Sequence, residues 1–241
     1  MVTLAANPSR KEYLRDAAEQ ALSKVRQAGN DSLLSYLEPP HNRFRLLGPA
    51  EQLSDVLESG QLQDEILAGY DDYFERNPYT TWFGSPRERS YNVEGFLRGL
   101  GSSYFGRVAS DFQAVHIDLF PLATLSDFSN LRALSDRDLL RTTWARTVIQ
   151  ALLDMLQPIA LLIFGRANFD AFGSYIDPSV RHFRHVRYGR AHYFAGVAQA
   201  FNVRVIGLST NLGNPMGFSS ESLLAYGRHV REATGYFDSS V

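Results

Sequence analysis

The chain has 241 residues, 24 Lys and Arg against 26 Asp and Glu, a net charge of −2 and 44% hydrophobic residues, enough for a sizeable core. It has no cysteine, which excludes disulfides, thiolate nucleophiles and iron–sulfur clusters. Its six histidines show no HExxH or other close metal spacing, so no metal and no other cofactor is expected. The near-neutral charge argues against non-specific coating of nucleic acid but leaves room for a local basic face. No apolar run approaches the roughly 18 residues of a membrane span, and no basic, apolar leader is visible, so a cytoplasmic protein without a membrane partner is expected.

Val2–Ala6 reads as a strand running into Asn7-Pro8. Proline bars an ordinary continuation of the ladder and pushes Asn7 into an extended conformation. This holds a polar amide at the carboxyl end of a buried strand, where ligands sit in open α/β sheets; a plain Asn-Pro turn is the simpler alternative. Residues 9–27 read as a helix with Ser9 as its cap and Glu12 one turn in. Residues 31–105 are mixed and mostly helical, broken at "EPPHN", "RNPYTTWFGSP" and "GLGSSYFG". "AVHIDLFPLAT" (114–124) is a second strand, running into Pro121 and carrying Asp118. Residues 135–158 open with a Ser-x-x-Asp cap and have helical apolar spacing.

"IALLIFGRANFDAF" (159–172) reads as strand, Gly165, then helix, a βα unit. "RHFRHVRYGRAHY" (181–193) packs four arginines, three histidines and no acid into thirteen residues. It reads either as a phosphate-contacting ribbon using Arg184 and Arg187 or as a solvated edge hairpin. "VRVIGLSTNLGNPMGF" (203–218) is a fourth strand entering a Gly/Pro/Asn loop, and residues 219–233 form a last helix. Strands separated by helical crossovers imply a three-layer α/β/α domain with a mainly parallel four-stranded central sheet. No linker divides the chain, so residues 1–241 are expected to be one domain.

Asn7, Asp118 and the Ser209-Thr210-Asn211 run all fall at strand ends. In this order, "LAANPS", "VHIDL", "LLIFGR" and "GLSTNLGNPMGFS" resemble the motifs of the uracil-DNA glycosylase superfamily, the first in the Asn form of the mismatch-specific uracil and thymine enzymes. The resemblance implies that Asn7 holds the attacking water and that Asp118 stands where a residue, usually Asn, reads the flipped base. It also implies a backbone-pinching wedge loop over 209–218, with Asn211 as its candidate catalytic residue beside Ser209 and Thr210. Gly213 would give that loop its tight turn, and Met216 and Phe218 would be its apolar wedges. The family's His-Pro-Ser or Asn-Pro-Ser is not reproduced there. Residues 30–105 then form an insertion, because the distance from Asn7 to Asp118 exceeds the family's spacing.

Two departures suggest the substrate. A carboxylate at 118 accepts from the exocyclic amine of cytosine and repels a uracil carbonyl, a contact worth roughly 1–3 kcal/mol of discrimination. The cytosine ring nitrogen is also an acceptor, so the pair needs one extra proton, on the ring or on the carboxyl. Ser9 stands where common uracil enzymes have a Tyr that blocks the pyrimidine 5-position. Together these point to a 5-substituted cytosine, as in the glucosylated hydroxymethylcytosine of phage DNA, which a defence branch of the superfamily removes. The expected partner is therefore double-stranded phage DNA. Glu12, Tyr79 and Trp82 are candidate base or sugar contacts, although aromatics at the insertion's spacing also suit a core and Asp118 also suits a local turn cap. The alternatives are repair of uracil or mismatched thymine, or a non-catalytic nucleotide-binding α/β module. For the module, the phosphate loops GxGxxG and GxxxxGK[ST] are both missing.

Overall fold

The computed structural model describes residues 1–5, 45–47, 67, 92–105, 112–119, 122–124, 143–210, 212 and 217–237. Its elements in chain order are β1 (Val2–Ala5), β2 (Arg45–Leu47), α1 (Asn92–Gly99), β3 (Ser102–Ser103), β4 (Phe112–Gln113), β5 (Val115–Asp118), β6 (Leu122–Thr124), α2 (Thr143–Leu156), β7 (Leu161–Ile163) and α3 (Arg166–Ala171). A π-helical turn (Phe172–Ile176) and a 3-10 turn (Pro178–His182) follow, then β8 (Arg184–Tyr188), β9 (Ala191–Ala198), β10 (Val203–Leu208) and α4 (Ser220–Thr234). The chain divides into two compact units, one of residues 1–5, 79–117 and 153–241, the other of 6–78 and 118–152.

The fold is α/β, with a mainly parallel six-stranded sheet in the order β5-β1-β7-β10-β9-β8. The four strands expected from the sequence are neighbours in it. The expected count of four is corrected to six, because the basic stretch after residue 181 adds the β8–β9 hairpin, antiparallel to β10. β7 pairs in parallel with β1 and β10, through Val2–Leu161 to Leu4–Ile163 and Val205–Leu161 to Gly207–Ile163. Leu4, Leu161, Leu162, Ile163, Val205, Ile206 and Leu208 are fully buried. A strand covered on both faces has no solvent side, so its sequence is a continuous apolar run rather than an alternation.

One other expected boundary shifts. The stretch 114–124 is not one strand: β5 ends at Asp118, and β6 pairs in parallel with β2 in a separate two-stranded sheet. Of residues 31–105, expected to be mixed and mostly helical, the described residues contribute β2, α1 and β3. The expected helix 135–158 is described over α2, and the expected helix 9–27 lies outside the described residues.

In the first unit helices cover both sheet faces. Register pairs Gly207 with Phe194 and Leu208 with Tyr193, so Phe194 and Tyr193 leave the sheet on opposite sides. On the Phe194 side, α3 lays the Phe169 ring over Gly207 and stacks it on Phe194, with centroids 4.7 Å apart. On the Tyr193 side α4 supplies Tyr226, which packs against Tyr193 and stacks on Tyr188 at 5.1 Å. Ser219 caps α4 by accepting from the Ser222 amide at 3.1 Å. α1 lies so close to α4 that a Cβ on Gly227 would fall 2.2 Å from the Phe96 carbonyl oxygen, and one on Gly99 2.3 Å from that of Leu224.

A polar network is buried beside α1. Glu94, 2% exposed, accepts from the Ser103 hydroxyl at 2.5 Å, the Tyr104 amide at 3.3 Å and Arg98 Nε at 3.3 Å. The Thr3 hydroxyl on β1 bonds the Tyr104 hydroxyl at 2.5 Å, His116 Nδ1 at 2.8 Å and the Val115 carbonyl at 3.2 Å. These partners satisfy groups that would otherwise cost the strand its burial.

Gly227→Ala should destabilise the protein by about 2–4 kcal/mol despite alanine's better helix propensity, because the backbone it strikes cannot swing aside. Denaturant unfolding measures this, and a neutral effect would show that the two helices can separate. The Met1 amine donates to the Gln113 carbonyl at 2.8 Å, and burial lowers its pKa from 8.0 to about 6. The unfolded chain therefore binds more protons between these values. This contribution to stability is full above pH 8.0 and falls as pH drops towards about 6, by about 3 kcal/mol at most. Blocking the free amine by acetylation should remove that part of the slope in thermal melts.

Candidate functional site

β7 leaves the sheet through Phe164, whose amide donates to the Leu4 carbonyl at 3.1 Å. Gly165 follows at φ 85°, ψ 143°, a conformation that L side chains rarely adopt, and turns the chain into α3. Asn168 Nδ2 donates back to the Phe164 carbonyl at 2.6 Å, and the Arg166 amide donates to the Ser209 carbonyl at 3.3 Å. Ser209 follows directly on β10. Its amide donates to the His192 carbonyl at 2.8 Å, and its hydroxyl accepts from the His192 amide at 2.9 Å. The Tyr226 hydroxyl also donates to the His192 carbonyl, at 3.2 Å. Burial, and to a lesser extent nearby Tyr193, push the Tyr226 phenol well above its ordinary range, so it acts as a neutral donor.

Because β9 runs antiparallel to β10, the β8–β9 turn at Gly189 and Arg190 lies at the carboxyl edge of β10, alongside Gly217. This edge of the first unit thus gathers Gly165, Arg166, Arg190, His192, Ser209, Thr210, Gly217 and Phe218. Two arginines and an imidazole pair lie near it. The Arg166 guanidinium lies 4.6 Å from the Phe194 ring centroid while its Nε meets the Asp170 carboxylate at 2.8 Å. His185 stacks on Phe194 at 4.8 Å, and its Nε2 is 2.9 Å from His192 Nδ1. Arg187, exposed, pairs across the hairpin with His192 and donates from Nε to the Gly189 carbonyl at 3.1 Å.

Of the residues singled out in the sequence, Ser209 and Thr210 are partly exposed at this edge, where the Ser209 hydroxyl is engaged by the His192 amide. Phe218 is half-buried and stacks on Tyr226 at 6.3 Å. Asp118 is the last residue of β5, 1% exposed, and falls in the second unit. Arg184 and Arg187 are both exposed but lie on opposite faces of the hairpin, since Arg184 pairs with Ala195 and Arg187 with His192. Strand alternation gives that result for any i, i+3 pair. Asn7, Ser9, Glu12, Tyr79, Trp82, Asn211, Gly213 and Met216 lie outside the described residues.

Arg166 and the His185–His192 pair are features that sequence reasoning did not single out. The histidines belong to the basic stretch already noticed, and alternation within a hairpin would have placed His185 on the same face as Arg187. Arg166 carries no comparable signal, because its partner Phe194 lies 28 residues downstream. Among the described residues no group of three or more His, Asp or Glu side chains is arranged to hold a metal ion.

No family model matches the chain, and no curated protein matches it. A solved structure of a domain of unknown function (DUF1537) from Bordetella bronchiseptica, a domain-swapped dimer with bound citrate, aligns over 96% of this chain at 13% identity with a TM-score of 0.31. The chain spans 40% of the length of that protein.

Gly165→Ala tests how the edge is built. Forcing a side chain into this backbone conformation should cost about 1–3 kcal/mol of stability in denaturant unfolding. A loss below about 0.5 kcal/mol would show that α3 can start from an ordinary turn.

Proposed function

We propose that the protein is a monofunctional DNA glycosylase of uracil-DNA glycosylase-like fold that excises a 5-substituted cytosine from phage DNA, as antiviral defence. The observation that carries this reading is the position of β1. From β1 the chain goes on to β5 on one side, while β7, on the other side, leads away to β10. The carboxyl ends of β1 and β7 therefore flank the point where the strand order reverses, which is where open α/β sheets bind ligands. The segment that begins "ANPS" leaves β1 at this point.

The chemistry asked of the chain is modest. A water held by Asn7 attacks the sugar carbon as the bond to the base breaks. The base departs with the bonding electron pair and accepts a proton, and the sugar keeps a hydroxyl at an abasic site. This needs a positioned water, hydrogen bonds to the leaving base and a flipped nucleotide. Asp118 would bind the cytosine amine, and its near-complete burial suits a contact made away from competing water. The basic carboxyl edge with Ser209, Thr210 and Arg187 would face the DNA backbone.

The test is to incubate the protein with phage DNAs of differing cytosine chemistry and count abasic sites. Release of a modified cytosine with unmodified DNA spared is expected, and intact DNA in every case would overturn the proposal. Asn7→Ala should lose about 100-fold or more in turnover with DNA binding retained. Asp118→Asn should lose activity on modified cytosine, with any residual activity moving towards uracil. An unchanged rate in either variant would remove that residue from the mechanism.

A further inference from the structure

The exposed face of the β8–β9 hairpin carries an imidazole pair that the excision chemistry does not use. His185 Nε2 and His192 Nδ1 are 2.9 Å apart, with ring centroids at 4.9 Å. One nitrogen of this contact donates and the other accepts. Among the described residues, no hydrogen bond engages the remaining nitrogens, His185 Nδ1 and His192 Nε2. In the neutral pair one of those two is protonated and the other is a bare acceptor, which repels an oxyanion. One added proton makes both of them donors and keeps the bond between the rings. A second added proton would break that bond. The singly charged pair is thus a two-donor fork bearing one positive charge.

Its surroundings favour an anion. Arg187 is the cross-strand partner of His192, and the Phe194 ring that His185 stacks on also lies under the Arg166 guanidinium. Asp170 on α3 engages Arg166 through Nε, and among the described residues the terminal amino groups of that guanidinium make no other hydrogen bond. Just beyond β10 the neighbouring residue is Ser209, which is neutral. The 3-10 turn before β8 packs towards the far end of β9 from His192, through Ser179 and its capping Asp177 to the Gln199 and Ala200 amides. Arg184 lies on the other face of the hairpin.

We infer that His185, His192, Arg187 and Arg166 form a phosphate-binding site for a polynucleotide backbone, and that one proton is taken up by the imidazole pair as the phosphate binds. The inference rests on the reading of the protein as DNA-acting, but its test does not depend on base excision. The affinity of the full chain for a short fluorescent duplex of ordinary bases is measured by anisotropy from about pH 6 to about pH 8 at constant ionic strength, the range in which histidine charge usually changes. Affinity should rise by up to about tenfold per pH unit on acidification, as linkage to one proton requires. His185→Gln and His192→Gln should each flatten this profile, whereas Arg187→Gln should weaken binding at every pH and make its salt dependence shallower.

A flat profile in the unsubstituted protein overturns the inference, as does an unchanged profile in glutamine variants that melt normally. Equal competition by polyglutamate overturns it too, since a carboxylate polymer would then serve as well. Should the variants fail to fold, the two imidazole signals are titrated by NMR in the unsubstituted protein with and without inorganic phosphate. Phosphate must shift both titrations upward for the site to stand. A protein that shows this linkage yet releases no base from any phage DNA would keep the site and lose the proposed activity. Base release without the linkage would do the reverse.

Discussion

β7 is three residues long, and both of its edges are taken. Leu161, Leu162 and Ile163 are fully buried and pair with β1 on one side and β10 on the other. Those pairings fix where three carboxyl ends emerge, and the turn that follows binds them together through Phe164 to Leu4 and Arg166 to Ser209. Ser209 at that edge is held on both sides by backbone groups, its carbonyl by the Arg166 amide and its hydroxyl by the His192 amide. A site built this way is positioned by the rigid part of the fold, and its side chains need little ordering when a ligand arrives.

Sealing the sheet on both faces has a second consequence. Polar groups on the central strands must find partners inside, and Thr3 finds three of them, Tyr104, His116 and the Val115 carbonyl. Glu94 does the same for the segment after α1, its carboxylate gathering Ser103, Tyr104 and Arg98. Such networks stabilise only when complete, because a half-satisfied buried carboxylate costs more than an apolar side chain in its place. They fix β1 and the residues around β3 in one register. β1 is also the strand whose exit opens the proposed crevice.

At the outer edge of the sheet the balance differs. The β8–β9 hairpin pairs on one side only and carries Arg184, His185 and Arg187 exposed. Charge on an outer strand discourages pairing with another chain, which by itself would explain three exposed basic residues. It does not explain why His185 lies against His192 and Phe194 instead of extending into solvent, or why Arg166 reaches the same ring from α3. That convergence from three elements is what separates a built patch from a merely charged strand.

The sequence alone determined the α/β class, the four apolar strands of the central sheet and the last helix, because those features follow from local patterns. Continuous apolar runs mark buried strands, and apolar spacing at the helical period marks an amphipathic helix. Tertiary structure decided the rest. The break of 114–124 into β5 and β6 depends on which strand each half pairs with, and β6 pairs with a segment some 77 residues upstream. The sixfold sheet depends on the basic stretch finding β10 as a neighbour. The separation of Arg184 from Arg187, and the gathering of Arg166, His185 and His192 around Phe194, depend on strand alternation and register. A local composition of four arginines and three histidines carries charge but no face, and only pairing assigns one.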